Sequence, residues 1–132
     1  MSFPLRAPRE PACDGGPDEV VLIVEDDPDL LELLSIWFRG EHRTVIAALS
    51  ADEALARTSG VIVDLAVVDL ILGGLLDGWQ LIPLLRTQHA GTRIVICSML
   101  DPEDHPAADE TLPKPCSRGD VSRLLRRLEQ AS

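Results

Sequence analysis

The sequence contains few aromatic residues and few basic ones. Aromatic residues make up 3% of the 132 positions and tyrosine is absent, so the aromatic surface on which single-stranded nucleic acids stack is not expected. Twelve basic residues stand against 22 acidic ones, which gives a net charge of −10. A chain this acidic is expected to bind neither nucleic acid nor an anionic membrane surface.

Long apolar runs are also missing. No run approaches the roughly 18 residues that cross a bilayer, and the initial stretch MSFPLRAPREPACDGG lacks the apolar segment of a signal peptide. We therefore expect a cytoplasmic protein without a membrane span. The same stretch is rich in proline and glycine, which predicts a disordered N-terminal extension over residues 1–18. The remaining residues, 19–132, are enough for one domain.

Cysteine is too scarce and too widely spaced for a structural framework. The chain has three cysteines, Cys13, Cys97 and Cys116, and no CxxC pair, so neither a zinc site nor a disulfide scaffold is expected. Cys97 lies inside an apolar run and is interpreted as a small buried apolar residue.

Short β-branched runs alternate with segments of helical periodicity. The capping-box pattern of residues 50–53 (SADE) predicts a short helix over Ala54 to Thr58. Alternation of strands and helices predicts an α/β fold with a doubly wound parallel sheet covered on both faces. The predicted strands are residues 20–24, 44–48, 65–68, 94–97 and, more briefly, 111–113.

Polar residues follow these apolar runs directly. Glu25 and Asp26 follow the first run, Asp69 the third, Ser98 the fourth and Lys114 the fifth. Ligand sites in such sheets lie beyond the carboxyl ends of the strands, so these side chains are expected to converge. Carboxylate oxygens suit Mg²⁺, and a hydroxyl and an ammonium group beside the ion favour a phosphoryl group. An aspartate can itself accept that group as an acyl phosphate.

This ordered set of motifs resembles the receiver domain of two-component response regulators. The resemblance covers about residues 19–130 and rests on five segments. It implies a five-stranded flavodoxin-like fold with strand order 2-1-3-4-5. The segments are VLIVEDDPDL (21–30), DLAVVDL (64–70), the Asp77-Gly78 turn, IVICS (94–98) and Lys114-Pro115.

The resemblance implies a role for each matching residue. Asp69 would accept phosphate from a sensor histidine kinase or a histidine phosphotransfer protein. Asp26 would bind Mg²⁺ directly, Glu25 would bind it through water, and the backbone carbonyl of Ile71 would be a further ligand. Ser98 would turn inward to a phosphoryl oxygen. Lys114 would pair with the phosphoryl group, and the peptide bond between Lys114 and Pro115 would be cis. Thr111 is at the second switch position.

Several positions depart from the usual receiver pattern. Gly73 stands where proline is usual, the interval from Asp69 to Gly78 is one residue longer than usual, and Met99 replaces a small residue. A bulky residue at position 99 is expected to narrow access to the phosphate. Positions 71 and 100 flank the attacking water in relatives. Both are aliphatic here, which predicts slow autodephosphorylation.

The interval between Ser98 and Lys114 is shorter than in relatives. Its central residues, DPEDHPAADE (101–110), contain two prolines and no apolar periodicity. The fourth helix of the family is therefore expected to be reduced or absent, which would alter the face that many receivers use for output or dimerisation.

Three functions remain open at this point. The first is a stand-alone receiver, not an enzyme beyond its own phosphorylation and dephosphorylation, which signals by binding an unknown downstream protein or by relay. The second is a receiver-like adaptor that is not phosphorylated. The third is a Mg²⁺-dependent phosphohydrolase with Asp69 as nucleophile; such enzymes carry a second aspartate two residues later, where this chain has Ile71.

Overall fold

The computed structural model describes residues 18–130. Its five strands form one parallel sheet in the order β2-β1-β3-β4-β5, which confirms the predicted fold class. The predicted extension over residues 1–18 lies, apart from Asp18, outside the described residues. The strands are β1 (Glu19–Val24), β2 (Arg43–Ala48), β3 (Leu65–Val68), β4 (Arg93–Ser98) and β5 (Glu110–Pro113).

Within residues 18–130, four α-helices cover the two faces of the sheet. The second helix begins at Ala51, not at Ala54 as the sequence pattern predicted. The cause is the Ser50 hydroxyl, which caps the helix by accepting the Glu53 N–H at 3.1 Å. The helices are α1 (Pro28–Phe38), α2 (Ala51–Arg57), α3 (Gly78–Gln88) and α4 (Arg118–Gln130).

Alternate side chains of each strand enter opposite core layers, as the pleat of a strand requires. In β1, Val21 and Ile23 pack in the layer beneath α1 and α4, whereas Leu22 and Val24 pack in the layer beneath α2 and α3. All four side chains are buried. The uninterrupted apolar run of β1 is thus explained by a strand that is covered on both faces.

The segment between β4 and β5 contains no α-helix. A single 3₁₀ turn, Pro102–Asp104, lies there, which confirms that the family's fourth helix is reduced or absent. The connecting segment 99–109 is fastened to the domain by hydrogen bonds. Arg86 of α3 donates to the Ala107 carbonyl at 2.9 Å, and the Asp109 carboxylate accepts the Ile94 N–H at 2.7 Å. Leu100 and Ala108 pack against the layer beneath α2 and α3.

Candidate functional site

The register of the sheet places the polar residues at the ends of four strands along one edge. Val24 of β1 is paired with Val68 of β3, so the residues that follow them, Glu25 and Asp69, leave the sheet next to each other. Ser98 of β4 is paired with Pro113 of β5, and Lys114 follows directly. The predicted convergence at the carboxyl edge therefore arises from register as well as from strand order.

Three carboxylates meet at this edge. Glu25, Asp26 and Asp69 each offer an oxygen, and these oxygens lie within 4.8 Å of one another. Glu25 and Asp69 are buried, with 2% and 6% of their surface exposed, whereas Asp26 is open to solvent. Three negative charges this close repel one another, so the arrangement requires positive charge nearby.

Lys114 supplies part of that charge. Its Nζ lies 2.7 Å from Glu25 Oε1 and 2.8 Å from Asp69 Oδ2. Burial alone would lower the pKa of Lys114, but hydrogen bonds to Asp69 and Glu25 outweigh it and raise the pKa above its ordinary value, so the ammonium group stays charged. Burial raises the pKa of Glu25, and the bond from Lys114 opposes that rise.

Backbone N–H groups hold each carboxylate in place. Asp69 Oδ1 accepts the Ile71 N–H at 3.2 Å, and Glu25 Oε2 accepts the Asp27 N–H at 3.1 Å. Asp26 Oδ2 accepts the Gly73 N–H at 3.1 Å. A proline at position 73 could not donate this bond. The departure at Gly73 therefore has a structural role that the sequence did not reveal: it ties the loop after β3 to Asp26.

The two predicted switch residues differ in their exposure to solvent. Ser98 is buried, and its hydroxyl oxygen accepts the Leu100 N–H at 3.2 Å. Thr111 is exposed on the edge strand β5. Met99 is 78% exposed, so most of its side chain faces solvent. The predicted cis peptide bond between Lys114 and Pro115 is present.

Gly78 brings the start of α3 against the end of β3. Its N–H donates to the Leu70 carbonyl at 2.9 Å, and a Cβ at this position would lie 2.6 Å from Leu70 Cα. Asp77 caps the helix reciprocally with Gln80. The Asp77-Gly78 turn thus fixes the far end of the loop that begins at Asp69.

Replacing Gly78 with alanine is expected to destabilise the protein by about 1–3 kcal/mol, because the added methyl group meets backbone that cannot move aside. Gly91→Ala is the matched control, since a Cβ there meets nothing within 4 Å, and a change within about 0.5 kcal/mol is expected for it. Urea unfolding of both variants measures the difference. Equal stability of the two would show that the contact at Gly78 is not tight.

The donor set fits a hard divalent cation. One ammonium group faces three carboxylates, which leaves surplus negative charge. Asp26 is exposed, and one of its two oxygens accepts a hydrogen bond from the Gly73 N–H. Its carboxylate therefore remains accessible to an ion from solvent. Clustered carboxylate oxygens and the absence of sulfur and imidazole in this group favour Mg²⁺ over softer metals.

Known proteins share both this sequence pattern and this fold. The family model described as the response regulator receiver domain matches residues 21–126. The chain is 34% identical over 122 residues to the transcriptional activator protein PfeR of Pseudomonas aeruginosa, covering 85% of this chain and 39% of that protein. The chain spans about half or less of the length of the curated relatives that it matches.

Two solved structures illustrate the likeness of fold. A receiver domain protein from Methanospirillum hungatei superposes with a TM-score of 0.74 at 22% identity, covering 86% of this chain and 95% of that one. The response regulator TrrA of Thermotoga maritima, solved with Mg²⁺ and BeF, gives a TM-score of 0.72 at 23% identity, covering 83% of this chain and 98% of that one.

The helices within residues 18–130 were also compared with the requirements for a membrane span, and none of them combines the necessary length with the necessary apolar character.

Proposed function

Because the chain belongs to the response regulator receiver domain family, we propose that it accepts a phosphoryl group on Asp69 in a Mg²⁺-dependent reaction. The donor would be a phosphohistidine of a sensor kinase or of a histidine phosphotransfer protein. The observation that carries the proposal is the setting of Asp69: a buried carboxylate held by the Lys114 ammonium group and the Ile71 N–H, beside two further carboxylates.

The chemistry is a transfer between two nucleophiles. A carboxylate oxygen of Asp69 would form a bond to phosphorus while the phosphorus–nitrogen bond of the donor breaks. The electron pair of the breaking bond would stay with the imidazole nitrogen. Lys114 would offset the negative charge on the transferring oxygens. Mg²⁺ held by Asp26, Asp69, the Ile71 carbonyl and, through water, Glu25 would add positive charge at the phosphoryl group.

The switch would start at Ser98. Its hydroxyl, which accepts the Leu100 N–H, would turn away from that group and donate its proton to a phosphoryl oxygen, and Thr111 on β5 would respond. Leu100 is also joined to His105, whose Nε2 donates to the Leu100 carbonyl at 2.9 Å. A new position for Leu100 would therefore shift the connecting segment 99–109, and a partner protein would read this population shift. Binding of a downstream protein or onward relay would carry the signal, without contact to nucleic acid.

One experiment separates this function from its alternatives. The protein is incubated with acetyl phosphate and Mg²⁺ or with acetyl phosphate and EDTA, and its intact mass is measured. The sample with acetyl phosphate and Mg²⁺ is expected to gain one phosphoryl group, and the sample with EDTA is expected to gain none. No gain from acetyl phosphate or from a phosphohistidine protein would replace the proposal with the adaptor. Sustained release of phosphate from unrelated phosphoesters would replace it with the hydrolase, although the exposed aliphatic Ile71 offers no acid there.

Mg²⁺ is expected to stabilise the folded protein through Asp26. At tenfold excess over its dissociation constant, a ligand that binds only the native state adds about 1.4 kcal/mol, which raises the thermal midpoint by several degrees. Asp26→Asn should remove most of this shift, and without metal it should be at least as stable as the wild type because one repelling charge is gone. Asp52→Asn, on the exposed side of α2, is the control. An undiminished shift in Asp26→Asn would place the ion elsewhere.

A further inference from the structure

Two cysteines that are distant in sequence pack in the same core layer, one residue before Ser98 and two residues after Lys114. Cys97 of β4 is buried in the layer beneath α1 and α4, and Cys116 packs against the same layer. Both are free thiols, and each is close enough to shift the pKa of the other. Residues this close are candidates for a bond between their sulfur atoms.

The two thiols differ in reactivity. Interaction with Cys97 lowers the pKa of Cys116, whereas interaction with Cys116 and burial raise the pKa of Cys97. Cys116 is half-buried, so an oxidant can reach it. It also directly precedes Ser117, whose hydroxyl accepts the Asp120 N–H and caps α4, and thiolates are favoured at a helix N-terminus. These differences favour Cys116 as the sulfur that would react first with an oxidant and Cys97 as the resolving sulfur.

We propose that Cys97 and Cys116 are a redox modification site that forms a reversible disulfide on exposure to a hydroperoxide. With hydrogen peroxide, the Cys116 thiolate would attack one oxygen, giving a sulfenic acid and hydroxide, which takes up a proton as water. The Cys97 sulfur would then attack the sulfenic sulfur and release a second water molecule. The two thiols lose two protons and two electrons, and the peroxide is reduced to water. A thiol reductant reverses the bond.

The disulfide would restrain the acceptor site. Cys97 directly precedes Ser98, and Cys116 follows Lys114 and Pro115. A covalent link between these two segments would fix the spacing of the hydroxyl and the ammonium group that receive the phosphoryl group. This consequence rests on the proposed function. Phosphorylation of the oxidised protein is expected to be about fivefold slower or more, in the range of ordinary coupling between sites.

The bond itself is tested without phosphorylation. Wild type, Cys13→Ser and Cys116→Ser are treated with hydrogen peroxide, and intact mass and free thiols are measured. In wild type and Cys13→Ser, the intact mass should fall by two hydrogen atoms and the number of free thiols should fall by two. Dithiothreitol should restore the original mass and the original number of thiols. Cys116→Ser, which keeps a similar side-chain size, should not lose that mass. Added oxygen without a disulfide, or a disulfide that requires Cys13, would overturn the proposal.

The consequence is tested on Cys13→Ser, reduced and oxidised, by the rate of phosphoryl incorporation from acetyl phosphate with Mg²⁺. Slowing that dithiothreitol reverses is expected. Peroxide-treated Cys116→Ser controls for oxidation of the exposed Met99, which dithiothreitol does not reverse. An unchanged rate in the disulfide form would refute the restraint. No incorporation even in the reduced form would instead refute the proposed function and leave the disulfide standing.

Discussion

Replacing Asp69 with asparagine is expected to abolish phosphoryl incorporation from acetyl phosphate. The amide has nearly the shape of the carboxylate but is not a nucleophile at neutral pH. The variant should fold, because Lys114 keeps its 2.7 Å ion pair with Glu25 and one of three clustered negative charges is removed. Intact mass after incubation with the donor and Mg²⁺ measures the loss.

Asp52→Asn is the matched control for this substitution. Asp52 is an exposed aspartate in the first turn of α2 and is not one of the three clustered carboxylates, so its replacement should leave incorporation at the wild-type rate. Incorporation by Asp69→Asn at that rate would mean that another side chain accepts the group. Asp69 would then not be the acceptor, even though the chain belongs to the receiver family.

Replacing Lys114 with glutamine is expected to slow phosphoryl transfer about a hundredfold or more. This is the usual effect of removing a group that stabilises the charge developing in a transition state. It should also destabilise the metal-free protein by about 3 kcal/mol, since Glu25 and Asp69 would be left buried beside each other without their cation. Mg²⁺ should recover part of this stability, because it restores positive charge to the carboxylates.

Lys114 is the only lysine of the chain, so no second lysine can replace it. Arg126→Gln removes an equal charge from the exposed face of α4 and should change neither rate nor stability appreciably. Urea unfolding and the time course of phosphorylation are measured on both variants. If Lys114→Gln behaved like Arg126→Gln, the short contacts of Lys114 would contribute nothing to the site.

Much of the site was predictable because it follows from simple periodicity. Apolar runs mark strands buried on both faces, parallel strands end at one edge, and the first polar residue after each run must lie there. Glu25, Asp26, Asp69 and Lys114 were located in this way, and the structure brings them together. The missing helix between β4 and β5 was predictable from the short interval and its prolines.

Contacts that depend on loop shape were not predictable. The bond from Gly73 to Asp26 joins residues 47 positions apart and depends on how the lengthened loop folds back. The proximity of Cys116 to Cys97 depends on the path of the chain after β5. The anchoring of the connecting segment by Arg86 likewise has no periodic signal, because it joins an exposed helix face to an irregular backbone.

The chemical position of the phosphoryl group tests the central claim most directly. Protein phosphorylated with acetyl phosphate is reduced with borohydride, which converts an aspartyl phosphate to homoserine, and its peptides are sequenced by mass spectrometry. Homoserine is expected at position 69 and an unaltered aspartate at position 26. Homoserine at any other position, or a phosphoryl group that resists borohydride, would contradict that claim.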